Sequence, residues 1–297
     1  MNTHTRWRLE IAKILTKKLA LYPEVRAIVV GGSAARNYAD GYSDLELFLY
    51  WDKEPSNIIK QDISTLLKAE HRYPKTHFAY HNALIINGFQ VDMWHKTASV
   101  EEANIAIVVD EGSTDLDASN IVDTMRFCVP MHGREFIKSW KDRVEKYPPG
   151  LTERFFKEYL PHFHLRHILL ESKRENPTVF YNMLSNIQCS LFIILLALNK
   201  SYFPTYKWIY KRLNELSLRP EKIEIRLQNM YKETPEIAVE QLRDLLAETL
   251  TLIEAHYPDY DTTSARQELI QPMPKLYEPV LSSKTENPRK SQRGNCS

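Results

Sequence analysis

The chain has 297 residues and a formal net charge of +1, with 43% hydrophobic and 26% charged residues. This composition is typical of a globular protein with one large or two ordinary domains and excludes a largely disordered chain. The near-neutral charge gives no overall electrostatic argument for binding nucleic acid or an anionic membrane.

The first predicted elements in chain order surround a glycine pair. Apolar residues at helical spacing predict a helix over residues 5–21, and the run 27–30 predicts a buried strand that ends at Gly31 and Gly32. Because glycine has no Cβ, the backbone N–H groups of this pair would approach a triphosphate closely. Ser33 adds a hydroxyl donor at the start of a short helix, whose dipole also favours an anion.

A second strand, predicted over residues 44–50, carries two carboxylates. Side chains alternate along a strand, so Asp44 and Glu46 share one face and form a natural Mg²⁺ site. Taken alone, Gly-Gly-Ser is usually a turn and Asp-x-Glu is usually a solvated strand face. The order of strand, Gly-Ser, short helix and strand with Asp-x-Glu makes a functional reading of the combination much stronger.

The next stretch is predicted to contain two helices and a hairpin. Asn87-Gly88 is a strong turn signal, and it predicts a hairpin with arms over residues 77–86 and 89–95. Residues 105–109 fit either a strand or a helix, residues 130–133 read as a loop, and residues 134–144 read as a helix. The helix before the hairpin begins near Pro55 and is expected to bury Ile58, Ile59, Ile63, Leu66 and Leu67.

Asp92, in the second arm of the hairpin, is the predicted third carboxylate. Val91 and Met93 point to one face of the strand, so Asp92 points to the other face together with Trp94. We expect Asp44, Glu46 and Asp92 to hold two Mg²⁺ ions on a nucleoside triphosphate. The alternative interpretation of Asp92 is an ordinary surface carboxylate.

Beyond residue 147 the pattern predicts helices. Tyr147-Pro148-Pro149-Gly150 is the clearest boundary, and no glycine follows until Gly294. We therefore predict a first domain over 1–147, a helical domain over 148–280 and a disordered tail over 281–297. The predicted helices span 153–170, kinked or divided at Pro161, and 177–199, 206–216 and 235–256, the last with a core stripe of Leu242, Leu245, Leu246, Leu250 and Ile253.

Gly32-Ser33, ten residues, Asp44-Leu45-Glu46 and a later strand carboxylate together resemble the DNA polymerase β-type nucleotidyltransferase superfamily. Within it, residues 40–46 are similar to the antibiotic-modifying branch, which acts on aminoglycosides and lincosamides, and residues 202–208 resemble a segment of the same enzymes. The resemblance implies an α/β (α+β) nucleotidyltransferase domain with a mixed sheet, followed by an all-α helical bundle domain.

The resemblance also implies roles for the motif residues. Gly32 and Ser33 would bind the triphosphate, and Asp44, Glu46 and Asp92 would bind Mg²⁺. Many members carry Asp-x-Asp, whereas the second acid here is Glu46, a variant that occurs among antibiotic-modifying members. The implied reaction is the Mg²⁺-dependent transfer of AMP from ATP to a hydroxyl of a small molecule such as an antibiotic, which would confer antibiotic resistance.

Three further residues are candidates for the same site. Arg36 follows Ser33 by three residues and is expected to touch the triphosphate, or else to pair with Asp40 at the surface. Lys207 lies in a basic strip among aromatic residues and would neutralise phosphate, or else belong to a solvated helix face. Glu171 is the helical candidate for the general base, a role for which Asp92 competes.

Three nearby histidines are the other candidate metal ligands. His164 and His167 have the i, i+3 spacing of one helix face, and His162 lies beside Pro161. Neither a cysteine nor a carboxylate completes a tetrahedral set nearby, so packing or hydrogen bonding to a substrate is the preferred interpretation.

The expected partners are a nucleoside triphosphate and a small hydroxylated acceptor, with a homodimer left open. A nucleotidyltransferase acting on RNA or protein, as in toxin–antitoxin systems, and a non-catalytic nucleotide-binding module are the alternatives. Charged residues interrupt the first twenty positions, and the longest apolar run, residues 191–198, is shorter than the ~20 residues of a membrane helix. Three widely spaced cysteines predict no disulfide framework, so we expect a cytoplasmic protein without a membrane partner.

Overall fold

The computed structural model describes residues 1–72 and 81–272, which form a mixed six-stranded sheet with helices on both faces. The strand order is β3-β4-β5-β2-β1-β6, in which β2 and β5 run parallel and the other neighbours run antiparallel. The strands are β1 (Val25–Val30), β2 (Leu45–Trp51), β3 (Glu70–His71), β4 (His81–Ile86), β5 (Phe89–Thr97) and β6 (Val129–His132).

Six helices belong to the described part of the chain before residue 147, and helices dominate the remainder. The first six are α1 (Thr3–Leu19), α2 (Gly32–Ala35), α3 (Asn57–Leu66), α4 (Ala98–Val109), α5 (Leu116–Phe127) and α6 (Arg134–Val144). They are followed by α7 (Leu151–Tyr159), α8 (Arg166–Lys173), α9 (Pro177–Leu198), α10 (Ile209–Glu215), α11 (Ile223–Asn229), α12 (Pro235–His256) and α13 (Thr263–Ile270), with 3-10 turns at Leu160–His162, Tyr206–Trp208 and Met230–Lys232.

The two faces of the sheet pack into different hydrophobic clusters. On one face, the odd-numbered side chains of β2, such as Leu45 and Leu47, pack with α1 and α3. On the other face, Ala27, Val29 and Tyr50 join a cluster that continues through α4–α6 into α9 and α12. This second cluster crosses the predicted domain boundary at residue 147, so the sheet and the later helices share one core. The division into domains stays a prediction.

The predicted strands lie close to their expected positions, but one strand was predicted as a loop. β1 and β2 are displaced by one or two residues from the predictions, and Asp44 immediately precedes β2. The predicted loop over 130–133 is wrong, because residues 129–132 pair with β1 as an edge strand. Pro130 has no N–H to donate to a sheet, and a position on an edge strand accommodates this.

One open alternative is decided, the burial predicted for one helix is corrected, and several helix predictions are confirmed. Residues 105–109 belong to a helix, and Ile58 and Leu66 of α3 are exposed rather than buried. The helices predicted over 134–144 and 235–256 are α6 and α12, and the apolar stripe of α12 is buried. The chain is divided around Pro161, as predicted. The predicted first arm of the hairpin lies partly, and the predicted tail wholly, outside the described residues.

Helix α9 is the most apolar element of the later half. Its side chains from Leu191 to Leu198 are buried against neighbouring helices, which fits the expected core helix. Within residues 1–72 and 81–272, α9 is also the one helix whose length and composition would allow it to cross a membrane.

Candidate active site

A cavity of about 230 Å³ lies between the β2–β5 face of the sheet and the opposing helices. Helix α5 and the turn at residues 204–208 form its other side. Five residues singled out from the sequence line it, namely Gly32, Ser33, Arg36, Glu46 and Lys207. The remaining lining residues are Phe48, Trp94, Lys96, Glu101, Asn120, Ile121, Thr124, Pro204, Thr205 and Trp208.

The carboxylates are positioned by the parallel pairing of β2 with β5. Glu46 is the direct register partner of Asp92, so both side chains leave the same face of the sheet at the same level. Val91 and Met93 are fully buried in the opposite face, which fixes this orientation of Asp92. Asp44 precedes the strand, and its backbone carbonyl accepts a hydrogen bond from Arg8 Nε of α1 at 3.0 Å.

The glycine pair is required by close packing against β2. Gly32 has a φ of +56°, and a Cβ at this position would collide with the carboxylate of Glu46. A Cβ at Gly31 would collide with the ring of Phe48. The loop therefore lies directly against the strand that carries the carboxylates, and Ser33 is buried beside it.

Mutual repulsion and burial disfavour the ionised forms of Asp44 and Glu46. Burial raises the pKa of Glu46 to about 7, and the charge of Asp44 adds to the shift while Lys207 opposes it. Burial also raises the pKa of Asp44, with a further contribution from the charge of Asp92. A bound cation would relieve this repulsion, since an opposite charge favours the ionised carboxylates.

Asp92 has local partners that the other two carboxylates lack. Burial raises its pKa, but the hydrogen bond from Gln90 and the proximity of His81 outweigh burial, and the net pKa is lowered. Gln90 Nε2 donates to Asp92 Oδ1 at 3.0 Å, and His81 Nε2 lies 3.7 Å from the same oxygen. Oδ1 of Asp92 therefore already accepts a hydrogen bond from within β5, and His81 of β4 lies near it without bonding to it.

The donor set fits a hard divalent cation by its chemistry, although the side chains do not converge on one point. Asp44, Glu46 and Asp92 offer only carboxylate oxygens, which Mg²⁺ prefers. In the part of the chain that the structure describes, no group of three or more His, Cys, Asp or Glu side chains is arranged to hold a metal ion.

The two basic candidates at the cavity have different surroundings. Arg36 forms a buried ion pair with Asp123 of α5, and its Nη1 donates to the carbonyl of Gly32 at 3.1 Å. Its partner is thus Asp123 rather than the alternative, Asp40. Lys207 lies with its Nζ 5.2 Å from the centroid of the Trp208 ring, and its charge lowers the pKa of Asp44 and Glu46 in opposition to burial.

Glu171 does not line the cavity. It belongs to α8, where Oε1 accepts a hydrogen bond from Arg174 at 2.8 Å and Oε2 accepts one from Asn176 at 3.1 Å. These bonds join the end of α8 to the start of α9. The structure therefore brings Asp92, but not Glu171, to the other carboxylates.

The histidines lie elsewhere, at two other cavities. His162 Nδ1 is 3.0 Å from Ser190 Oγ, and His164 Nδ1 is 3.1 Å from the carbonyl of Pro161. His164 and His167 line one cavity beside α13, although His164 precedes the start of α8. Their surroundings agree with hydrogen bonding and packing.

Several residues of the site were not recognised from the sequence. Asp123 forms part of a buried ion network with Arg212, which belongs to the same predicted basic strip as Lys207, while Lys96, Glu101 and Asn120 line the cavity. The sequence offered one signal for Asp123, namely an acid among apolar residues such as Val122 and Met125. The structure shows that all three residues are fully buried. The three cavity residues have no local motif.

Comparisons with known proteins give little similarity in sequence. No protein-family model and no curated protein match the chain. Among solved structures, the chain is similar to a nucleotidyltransferase-like protein from Exiguobacterium sibiricum 255-15, with 13% sequence identity and a TM-score of 0.38. That match covers 87% of this chain and 85% of the other. The function proposed below therefore rests on the residues of the cavity.

Proposed function

We propose that the chain is a nucleotidyltransferase, which transfers a nucleoside monophosphate from a nucleoside triphosphate to an acceptor hydroxyl. The observation that supports it most is the register pair Glu46–Asp92 on parallel strands, with Asp44 adjacent and Gly32 in contact with Glu46. Lys207 lines the same cavity as Glu46, and its charge acts on both Glu46 and Asp44, although Asp44 and Asp92 do not line the cavity themselves. Clustered acids beside a glycine-serine loop and a lysine are suited to bind a triphosphate with its cation.

Each residue has a definable part in this reaction. Asp44, Glu46 and Asp92 would hold Mg²⁺, which when bound lowers the pKa of an attacking hydroxyl and neutralises a leaving pyrophosphate. Lys207 contributes a positive charge to the phosphates. Ser33 contributes a hydroxyl donor from the buried loop.

Arg36 has an indirect part, because its guanidinium is engaged by Asp123 and the Gly32 carbonyl. It therefore orients the Gly32-Ser33 loop through its hydrogen bond to the Gly32 carbonyl. Asp92 is favoured over Glu171 as the general base, because Glu171 is bound to Arg174 and Asn176 away from the cavity.

The identity of the substrates belongs to the same proposal. ATP as the nucleotide and an aminoglycoside or lincosamide as the acceptor follow from the resemblance of residues 40–46 to antibiotic-modifying enzymes. A cytoplasmic enzyme that confers antibiotic resistance would result. An RNA or protein acceptor is the rival, and binding to tRNA that weakens steeply with salt would favour it.

A non-catalytic nucleotide-binding module is the second candidate function. It is favoured by the engagement of Asp92 Oδ1 with Gln90 and by the absence of a convergent metal-ligand group within residues 1–72 and 81–272. A binding module needs the loop and Lys207 but does not need three ligands on a metal.

The deciding experiment measures pyrophosphate release with Mg²⁺ and ATP against aminoglycosides, lincosamides and tRNA. We expect release that depends on one acceptor class and that falls by at least about 100-fold in Asp44→Ala. Asp142→Ala is the matched control, because Asp142 forms an exposed pair with Lys138 outside the cavity. Mg²⁺-dependent ATP binding without release for any acceptor would favour the binding module, and no ATP binding would contradict both functions.

A further inference from the structure

We propose that Lys96, Glu101 and Asn120 form a subsite for the nucleobase at the second end of the cavity, an inference that rests on the proposed nucleotidyl transfer. The cavity has two chemically different ends. One presents the glycine-serine loop, the carboxylate of Glu46 and the ammonium of Lys207. The other, which the reaction does not use, presents an ammonium, a carboxylate and an amide.

The polar groups at this second end are fixed in place. The side chain of Glu101 is 2% exposed, its Oε1 accepts a hydrogen bond from Tyr50 Oη at 3.1 Å and its Oε2 accepts one from Lys96 Nζ at 3.2 Å. Tyr50 is itself fully buried and packs edge-on against Trp140. Lys96 is therefore held in position, and its ammonium has further N–H donors to offer toward the cavity.

Asn120 is the group available for recognition. It lies on α5, partly exposed, and lines the cavity one helical turn before Thr124. Among the residues that the structure describes, its side-chain amide has no hydrogen-bond partner. An amide presents a donor and an acceptor side by side, and this pattern matches the polar edge of a nucleobase.

The walls next to this polar end are aromatic and apolar, and Trp94 is also stacked on His81 with ring centroids 4.2 Å apart. Phe48 and Trp94 stand side by side on the sheet with ring planes 13° apart and centroids 6.1 Å apart, and Ile121 faces them from α5. A nucleobase has the matching polarity, since its faces are apolar and its edge is polar. At about 230 Å³ the cavity is smaller than the ~300–1,000 Å³ pockets that enclose drug-sized ligands, so a nucleotide that lies along it would extend beyond it at the phosphate end.

The spacing along the strands agrees with a nucleotide lying lengthwise. Tyr50 and Lys96 are register partners, four residues beyond the pair Glu46–Asp92 on the same parallel strands. This separation is roughly 13 Å at the rise of a β-strand. A ribose and the first phosphate would bridge the two levels, which leaves the acceptor to enter at the carboxylate end.

The test compares nucleotides with inorganic tripolyphosphate, which has the phosphates but no base. Binding of ATP, GTP, CTP, UTP and tripolyphosphate with Mg²⁺ is measured by calorimetry for the wild type, Asn120→Ala and Asn182→Ala. The last is the matched control, because Asn182 is an exposed helical asparagine outside the cavity. Urea unfolding of each variant checks that the fold is retained.

We expect the tightest nucleotide to bind at least about 10-fold more tightly than tripolyphosphate, and Asn120→Ala to weaken that nucleotide by about 5- to 100-fold. Tripolyphosphate affinity should stay within about twofold in both variants. If the best nucleotide and tripolyphosphate bind the wild type alike, or if Asn120→Ala behaves like Asn182→Ala, the base subsite is wrong while nucleotidyl transfer stands. If neither kind of ligand binds the wild type, the proposed function itself fails.

Discussion

At the scale of single residues, Gly32 combines two requirements. Its φ of +56° lies in the left-handed region that favours glycine, and its Cα faces the Glu46 carboxylate without room for a Cβ. From the sequence, we explained this glycine by the close approach of the backbone to a triphosphate. The structure adds a second reason, since the residue also leaves the space in which a predicted metal ligand lies.

Gly32→Ala and Gly88→Ala separate these two requirements. Gly88 has a φ of +76° and nothing within 4 Å of where an alanine methyl would lie, so its alanine variant suffers the backbone penalty alone. We expect both variants to lose about 1–2 kcal/mol of unfolding free energy in urea. Only Gly32→Ala should also lose pyrophosphate release, because its methyl displaces the Glu46 carboxylate. Wild-type activity in Gly32→Ala would contradict the placement of Glu46 in the reaction.

The orientation of a candidate residue was predictable where short-range periodicity determined it. Val91 and Met93 are apolar neighbours of Asp92, so alternation along the strand was enough to assign its face. The pairing of Arg36 with Asp123 joins residues 87 positions apart and depends on where α5 packs, which no local pattern encodes. Glu171 was chosen from its place on a helix, but the direction of its side chain depends on the junction with α9.

At the scale of elements, the parallel pair β2–β5 has a different chemistry on each face. The cavity face carries the acids, while the opposite face is apolar apart from a buried hydrogen bond from Trp51 Nε1 to His95 Nδ1 at 3.2 Å. Burial lowers the pKa of His95 to about 3, with smaller contributions from the charges of Lys60 and His81. His95 is therefore neutral and accepts the indole N–H, which ties the ends of the two strands together.

This bond predicts a pH dependence of stability. The unfolded chain protonates His95 near its ordinary pKa of 6.5, whereas the folded chain excludes the proton until about pH 3, so stability falls as the pH drops through this window. His95→Gln keeps an acceptor for Trp51 but does not titrate. We expect its unfolding free energy to fall less steeply between pH 6 and 4, by up to about 1.4 kcal/mol per pH unit.

Urea denaturation at several pH values measures this slope, and His4→Gln serves as the control at an exposed histidine. Equal slopes for the wild type and His95→Gln would show that His95 protonates in the folded chain.

Prediction of whole elements succeeded where the periodicity was regular, failed for one short strand, and left one uniformly apolar run undecided. Helices α6 and α12 have the bounds that their 3.6-residue repeats indicated. β6 has four residues including a proline, and its strand conformation depends on the edge offered by β1. Residues 105–109 are a run rich in β-branched side chains in which strand and helix patterns coincide, and packing against α5 and α6 selects the helix.

At the scale of the whole molecule, a buried ion network connects the sheet with the later helices. Asp123 of α5 is fully buried between Arg36, which follows the glycine-serine loop, and Arg212 of α10, whose Nη2 lies 3.4 Å from Asp123 Oδ1. Arg212 also binds Glu215, which accepts a hydrogen bond from the hydroxyl of Tyr38. The network and the continuous core reinforce each other, because both join the same two parts of the chain.

Asp123→Asn tests this connection. It has nearly the same shape as the wild-type side chain but leaves two buried guanidinium groups without their carboxylate, so we expect a loss of about 3–5 kcal/mol. Asp142→Asn removes an exposed partner of Lys138 and should cost about 0–1 kcal/mol. Urea unfolding compares the two, and similar losses would mean that the network contributes little to stability.

The core that runs from the sheet into α9 and α12 also affects how substrates enter and leave the cavity. Swinging the helices away from the sheet would expose buried leucines and separate Asp123 from its arginines, and both changes would cost free energy. We therefore expect ligands to exchange while the two parts stay packed, through rotamer changes of mouth residues such as Lys207. Such motions take picoseconds to nanoseconds, in contrast to the microseconds to milliseconds of a hinge, so the architecture favours a permanently assembled cleft over one that closes on each turnover.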